Sequence, residues 1–319
     1  MAGTLSFAGL AGQERAKAVL RRVFQSGRMA HAYLFRGPDG VGKAKCARLV
    51  AARVNCRQPN EEGACGVCAS CRKCLSGNHP DLVSLSPVNG TIKIDPVREL
   101  CRSLSYPPYE SERRVVIIED IHTMTQAAAN SLLKTLEEPP EHNLLILTAE
   151  ASKELLQTVV SRCQVINFHN LSPEQTMEVL MKLQPELDAE EAELLAGLSD
   201  GCPGTALVLQ SKDLISRYRV VREVLEHSSE PAAGVTEVLL EAEQLASLKA
   251  DLPLFLGLLR MWVRDRLFQQ DDGSDLGPWQ RRLDHIDRAQ RQLARNCNRT
   301  LVCEVLLFNL QSPVPEVSL

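Results

Sequence analysis

Gly37-Pro38-Asp39-Gly40-Val41-Gly42-Lys43-Ala44 stands between a short apolar run, Ala32 to Phe35, and a segment, Lys43 to Val54, whose apolar residues recur at helical spacing. The order strand, glycine-rich turn, helix gives the pattern G-x-x-x-x-G-K its physical meaning. Glycines at Gly37, Gly40 and Gly42 let backbone N–H groups turn inward around phosphate oxygens. The start of the helix adds partial positive charge, and Lys43 reaches the terminal phosphates of a nucleotide. The residue after the lysine departs from the pattern. A serine or threonine there offers a hydroxyl to Mg²⁺, whereas Ala44 has no oxygen, so hydrolysis should suffer more than binding.

Outward from this loop the sequence alternates strands and helices. Val115 to Ile118 is a β-branched run of the kind buried in a parallel sheet. It ends in Glu119-Asp120, where such proteins place a metal ligand and a water-orienting carboxylate, usually in the order Asp then Glu; the reversed order here reads as an eroded site, with a solvated acidic turn as the alternative. Asp81 to Leu85, Leu144 to Leu147 and Val165 to Phe168 read as further strands. Asp95 with Pro96 reads as a helix cap and first turn. Thr125 opens a helix that Pro139-Pro140 stops, and Leu155 to Val160 reads as a short helix. Thr148 stands at the end of its strand, where a residue could sense nucleotide or simply hydrogen-bond. This alternation predicts an α/β fold, a doubly wound parallel sheet.

After Asn170 the pattern becomes helical, with Ser172-Pro173 as cap and first turn and Gly201 to Gly204 as a helix junction. The expected organisation is a P-loop α/β domain over 1–169, a small helical lid over 170–211 and an all-helical domain over 212–319. Phe255, Leu258, Leu259 and Trp262 share one helical face, as do Leu301, Val305 and Leu306. Gln270 to Pro278 reads as loose.

A Cys- and Gly-bearing insertion without periodicity occupies 56–78. Cys56, Cys65, Cys68 and Cys71 are spaced C-x8-C-x2-C-x2-C, and Cys74 continues the step. Thiolates so spaced can close a structural Zn²⁺ site; a redox switch and a chance cluster of reactive thiols are the rivals. Which four of the five bind stays open, with Cys74 the candidate free thiol. Cys46 and Cys101 lie on helix patterns and read as core thiols. His79 and His122 read as surface or turn histidines.

The 319 residues carry 36 basic and 40 acidic side chains, a net charge of −4. Any nucleic-acid contact must then come from a local patch. No apolar stretch reaches membrane-spanning length, and Met1 to Leu10 lacks the features of a secretory signal. The expected location is cytoplasmic, and the 11 cysteines read as thiols.

Four segments carry a resemblance. Phe7-Ala8-Gly9-Leu10-Ala11-Gly12-Gln13, His31-Ala32-Tyr33-Leu34-Phe35 before the glycine-rich loop, Ala129 through Pro140 (ANSLLKTLEEPP) and Ser161-Arg162-Cys163 resemble the AAA+ clamp loaders of bacterial DNA polymerase III. The cysteine insertion after the loop's helix belongs to that pattern too. The resemblance is strong over residues 5 to about 210; beyond them only helicity agrees. It implies a role in DNA replication, with gamma/tau motor subunits and a delta subunit as partners, and the sliding clamp and primed DNA reached through the assembly. It also implies that the last domain is an oligomerising collar. Two departures point away from the motor and toward the delta-prime type: Ala44, and Thr205 in Gly201-Cys202-Pro203-Gly204-Thr205, where the motor carries a second-sensor arginine. By the same resemblance Arg162 is an arginine finger reaching into a neighbour's ATP site. ATP and Mg²⁺ binding by this chain is then weak or absent, and no polymerase active site is present. An active motor that tolerates Ala44, and a DNA-binding adaptor built on the cysteine knuckle beside Arg57, Arg72 and Lys73, are the competing readings.

Overall fold

The computed structural model describes residues 5–227, 233–268 and 276–311. The chain divides into two compact units, Met1–Glu186 with Gly201–Thr205, and Leu187–Asp200 with Ala206–Leu319. The division runs inside the segment 170–211.

The first unit runs α1 (Glu14–Ser26), β1 (Ala32–Arg36), α2 (Lys43–Val54), α3 (Ala69–Leu75), β2 (Leu82–Leu85), α4 (Ile94–Ser103), β3 (Arg114–Ile118), α5 (Gln126–Glu137), β4 (Asn143–Ala149), α6 (Gln157–Val160), β5 (Gln164–Asn167) and α7 (Pro173–Leu183). The five strands form one parallel sheet in the order β2-β3-β4-β1-β5. This is the expected doubly wound α/β fold. Strand side chains alternate between two cores, as the two-residue period requires. Tyr33, Phe35, Val115, Ile117, Leu144 and Ile146 pack with α1 and α2. Leu34, Val116, Ile118, Leu145 and Leu147 pack with α4 and α5 on the other face. Each fully buried Val, Leu or Ile contributes roughly 1.5–3 kcal/mol, which is why these runs show no polar face.

Local chemistry sets the helix ends. The Thr125 hydroxyl accepts from the Ala128 N–H and opens α5. Ser172 and Gln175 form a reciprocal capping box at α7, with Pro173 in its first turn. The predicted start at Asp95 is corrected: α4 begins at Ile94 behind Lys93, and Asp95 lies in the first turn without capping. The 56–78 insertion also contains a helix, α3, which its lack of periodicity concealed; seven residues are too few to display a period.

The second unit is helical: α8 (Ala189–Leu198), most of α9 (Pro203–Ser211), α10 (Leu214–His227), α11 (Ala233–Ser247), α12 (Leu252–Phe268), α13 (Gly277–Ala294) and α14 (Arg299–Gln311). α11 packs on α14, and α13 packs on both α12 and α14. Phe255, Leu258, Leu259 and Trp262 are buried together on α12, and Trp262 meets Trp279 edge-on at 5.9 Å. Two expectations fail here. Leu306 is buried while Leu301 and Val305 are exposed, so these three do not share a face. Of the segment read as loose, 270–275 lies outside the described residues, whereas Gly277 and Pro278 open α13.

Candidate functional site

The carboxyl ends of β1, β3 and β4 converge where parallel α/β sheets bind ligands. The loop 37–42 leaves β1 and enters α2. Gly42 adopts φ +99° as it opens the helix, and Gly40 adopts φ +79°. A side chain at Gly40 would also meet the Gly204 Cα at 2.9 Å. Gly204 donates its N–H to the Gly40 carbonyl at 3.0 Å, so the 201–205 turn lies directly against the loop.

Lys43 is buried, and its ammonium donates to the carbonyls of Gly37 (2.8 Å) and Pro38 (2.6 Å) and to the Asp39 carboxylate (2.8 Å). All three donors of the ammonium therefore meet acceptors from its own loop. Sequence reasoning passed over Asp39, although its spacing of four residues from Lys43 was a usable signal. Ala44 follows on α2 and presents a methyl group.

Glu119 and Asp120 separate. Glu119 accepts from Arg48 at 2.9 Å and from the Ser86 hydroxyl at 3.2 Å. Asp120 adopts a left-handed φ of 51°, and its N–H donates to the buried Thr148 Oγ1 at 3.0 Å. Burial raises the Asp120 pKa above the usual carboxylate value, and Asp39 adds to the rise, while His122 and Lys43 oppose it. Thr148 thus tethers β4 to the end of β3. His122 is half-buried and accepts from the Glu150 N–H at 3.4 Å.

Arg162 follows α6 on the surface. Its guanidinium donates to the Thr158 carbonyl (2.9 Å), the Ser161 hydroxyl (3.3 Å) and Glu137 (2.6 Å). Glu137 ends α5, within the Ala129–Pro140 signature. Two of the segments that carry the resemblance therefore meet in one exposed ion pair.

The cysteine segment forms a separate centre. The sulfurs of Cys56, Cys65, Cys68 and Cys71 all lie within 4.8 Å of one another. Cys65 and Cys71 are 3.8 Å apart, and Cys71 and Cys56 are 3.6 Å apart. Tetrahedral zinc with Zn–S of about 2.3 Å has S···S edges near 3.8 Å, so this donor set fits such an ion. Backbone N–H groups of Cys65, Cys68 and Cys71 point at the sulfurs of Cys56, Cys65 and Cys68. Burial pushes on the Cys68 thiol, but N–H groups of Arg57 and Cys71 and neighbouring thiols outweigh it and hold its pKa down at about 6. Cys74 stands outside the set, and burial pushes its thiol up to about 11.

Beside this centre His79 lies in the connection between α3 and β2 and is buried, so of its two readings, surface or turn, the surface one is corrected. It contacts the Ser70 hydroxyl at 3.0 Å and accepts from the Asp81 N–H. Asp81, fully buried, accepts from the N–H groups of Tyr109, Glu110 and Ser111 at 2.6–2.9 Å. The sequence marks Asp81 only as the start of a strand, and the strand itself begins at Leu82. Cys46 is a core thiol as expected. Among the described residues no helix is long and apolar enough to cross a membrane.

Residues 12–172 match the family described as DNA polymerase III, delta subunit. The DNA polymerase III subunit delta-prime of Pseudomonas aeruginosa is 31% identical over 312 residues, covering 89% of this chain and 92% of its own length. That of Bacillus subtilis is 36% identical over 211 residues, covering 66% and 63%. The DNA polymerase III subunit tau of Escherichia coli is 35% identical over 215 residues and covers 66% of this chain, but the chain spans only 33% of that protein. With a family match across about half of the sequence and a delta-prime relative aligned almost end to end, the chain belongs to the DNA polymerase III delta-prime family of clamp-loader subunits.

Proposed function

We propose that this chain serves DNA replication as a clamp-loader subunit that lends Arg162 to a neighbouring ATPase while its own phosphate loop stays chemically idle. The observation that carries the reading is the state of Lys43. Its ammonium is engaged by Gly37, Pro38 and Asp39, Gly204 is bonded to Gly40, and Ala44 offers no hydroxyl to a metal. A nucleotide would have to displace the Asp39 carboxylate before its phosphates could pair with the lysine. Glu119, held by Arg48 and Ser86, would also have to leave both partners to approach a metal.

Arg162 is placed differently. It lies on the surface, in a pair that solvent already screens, and its planar fork suits charge developing on a transferred phosphoryl group. The neighbours would be gamma/tau motor subunits and a delta subunit, with the sliding clamp and primed DNA engaged by the whole assembly in the cytoplasm. The boundaries 1–169, 170–211 and 212–319 correspond in this reading to a P-loop domain, a lid and an oligomerising collar. The four cysteines would hold one Zn²⁺, whose part is structural, since four thiolates leave no position for substrate.

Calorimetric titration of the isolated chain with ATP, with and without Mg²⁺, tests the idle-loop half. No binding heat is expected. Mg²⁺-dependent binding together with turnover that Lys43→Ala abolishes would instead make the chain a motor. The finger half is tested in the assembled complex, as developed in the Discussion.

A further inference from the structure

The helical unit carries a cleft of about 580 Å³ where the turn Lys249–Asp251 and the start of α12 face the junction of α13 with α14. Its apolar lining comes from Leu252, Pro253, Leu293 and Ala294, its charged lining from Lys249 and Arg299, and among the described residues that line it none is acidic. The nearest acids along the chain are engaged elsewhere: Asp251 with Lys212 and Asp287 with Arg260. The stretch Arg288–Arg299 holds Arg288, Arg291, Arg295 and Arg299 without one acidic residue, in a chain whose net charge is −4. Arg291, Arg295, Arg299 and Lys249 are exposed. The cleft is thus the apolar floor of a local positive field.

Its wall is rigid. Asn296 takes φ 57° just past the end of α13. Cys297 donates its N–H to the Gln292 carbonyl and Asn296 donates to Leu293, the paired bonds of a Schellman cap. Asn298 then caps α14 by accepting from the Leu301 N–H. A turn closed by caps on both sides needs little ordering when something docks against it.

We infer that this cleft docks an acidic peptide segment of a partner protein, with one apolar side chain seated on Pro253 and Leu293 and flanking carboxylates facing Lys249 and Arg299. The pairing follows from charge complementarity and from the apolar floor. A single-stranded nucleic acid fits less well, because none of the described residues lining the cleft is aromatic, which leaves a base nothing to stack on.

The test uses the full chain and a fluorescein-labelled peptide of aspartates around one central leucine, read by anisotropy. Micromolar binding is expected. Lys249→Glu with Arg299→Glu, both at exposed positions, should weaken it by about tenfold or more without changing the thermal melt. A peptide with serine in place of leucine should also bind more weakly. Saturating peptide should slow alkylation of Cys297, which lines the cleft, as followed by mass spectrometry. Three results overturn the inference: no anisotropy change, binding indifferent to the charge reversals, or displacement of the peptide by an oligothymidylate that itself binds more tightly.

Discussion

Replacing Arg162 separates a role in catalysis from a role in the fold. Within the chain its guanidinium pairs with Glu137 at 2.6 Å, and the two side chains are 33% and 47% exposed. Bare Coulomb attraction at this separation runs to a few kcal/mol in a partly wet environment. Solvent screening and the entropy of holding two long side chains reduce exposed pairs to about 0.2–1 kcal/mol. Arg162→Ala should therefore cost the isolated subunit less than about 1 kcal/mol in urea unfolding. Drawing the arginine off Glu137 toward a neighbour's triphosphate costs no more than the same amount, about fivefold in rate. An arginine finger contributes roughly 10³–10⁵ in rate, so the two magnitudes differ by at least two orders. The decisive assay reconstitutes the complex with motor subunits that carry alanine at their own Ser-Arg-Cys arginine, leaving the adjoining site dependent on Arg162. DNA-stimulated hydrolysis at that site should fall by about 10³ or more with Arg162→Ala. With Glu137→Gln it should stay within about fivefold or rise slightly, because the restraint is released. Arg162→Lys should not rescue, since an ammonium lacks the fork. If Arg162→Ala leaves hydrolysis within fivefold of the parent, the guanidinium serves only its local ion pair and the reasoning fails.

The cysteine centre gives a compositional prediction: the purified chain carries one Zn²⁺, Cys74→Ser retains it, and Cys71→Ser loses it along with the protease resistance of the 56–78 segment, as metal analysis and limited proteolysis would show. Asp81→Asn should destabilise the chain by about 2–3 kcal/mol, because three N–H groups lose a charged acceptor. Burial pushes the Asp81 pKa up, but the N–H groups of Glu110, Tyr109 and Ser111 outweigh it and the net shift is downward. Its stabilisation is therefore complete above the unfolded value near pH 4 and lost as pH falls through the folded value, so the gap between parent and variant should close in acid. Asp120 is shifted the other way, by burial and by Asp39. Its charged form is a cost at neutral pH, relieved as pH falls toward the unfolded value. Asp120→Asn should then melt higher than the parent at pH 7 and equally near pH 4, and asparagine tolerates the left-handed backbone there; a lower melting temperature at pH 7 would contradict the assigned shift.

Much of the fold was legible because its signals are local. Val115–Ile118 and Leu144–Leu147 are continuous apolar runs, and strands buried on both faces admit no polar residue. The cap residues Thr125 and Ser172 act within three positions of themselves. The phosphate-loop pattern and the cysteine spacing are likewise short and ordered along the chain. Errors fell where the signal was weak or the partner distant. Asp95 next to Pro96 imitates a cap and first turn, yet the cap and the first helical residue each stand two residues earlier, at Lys93 and Ile94. Leu301, Val305 and Leu306 are all apolar, and only the helices packed against α14 decide which of them is covered.

From sequence alone came the parallel sheet, the loop with its missing hydroxyl, the cluster of five cysteines and the membership of Arg162 in a Ser-Arg-Cys motif, because each is carried by short local patterns along the chain. Only the tertiary structure decided what those groups touch. It brought Gly204 against Gly40, put Glu137 beside Arg162, gave Arg48 to Glu119 and folded Tyr109–Ser111 over Asp81. The physical reason is that hydrogen bonds and ion pairs act over a few ångströms in space. Sequence proximity predicts them only within a turn or a helix, and these partners lie 25 to 164 residues apart.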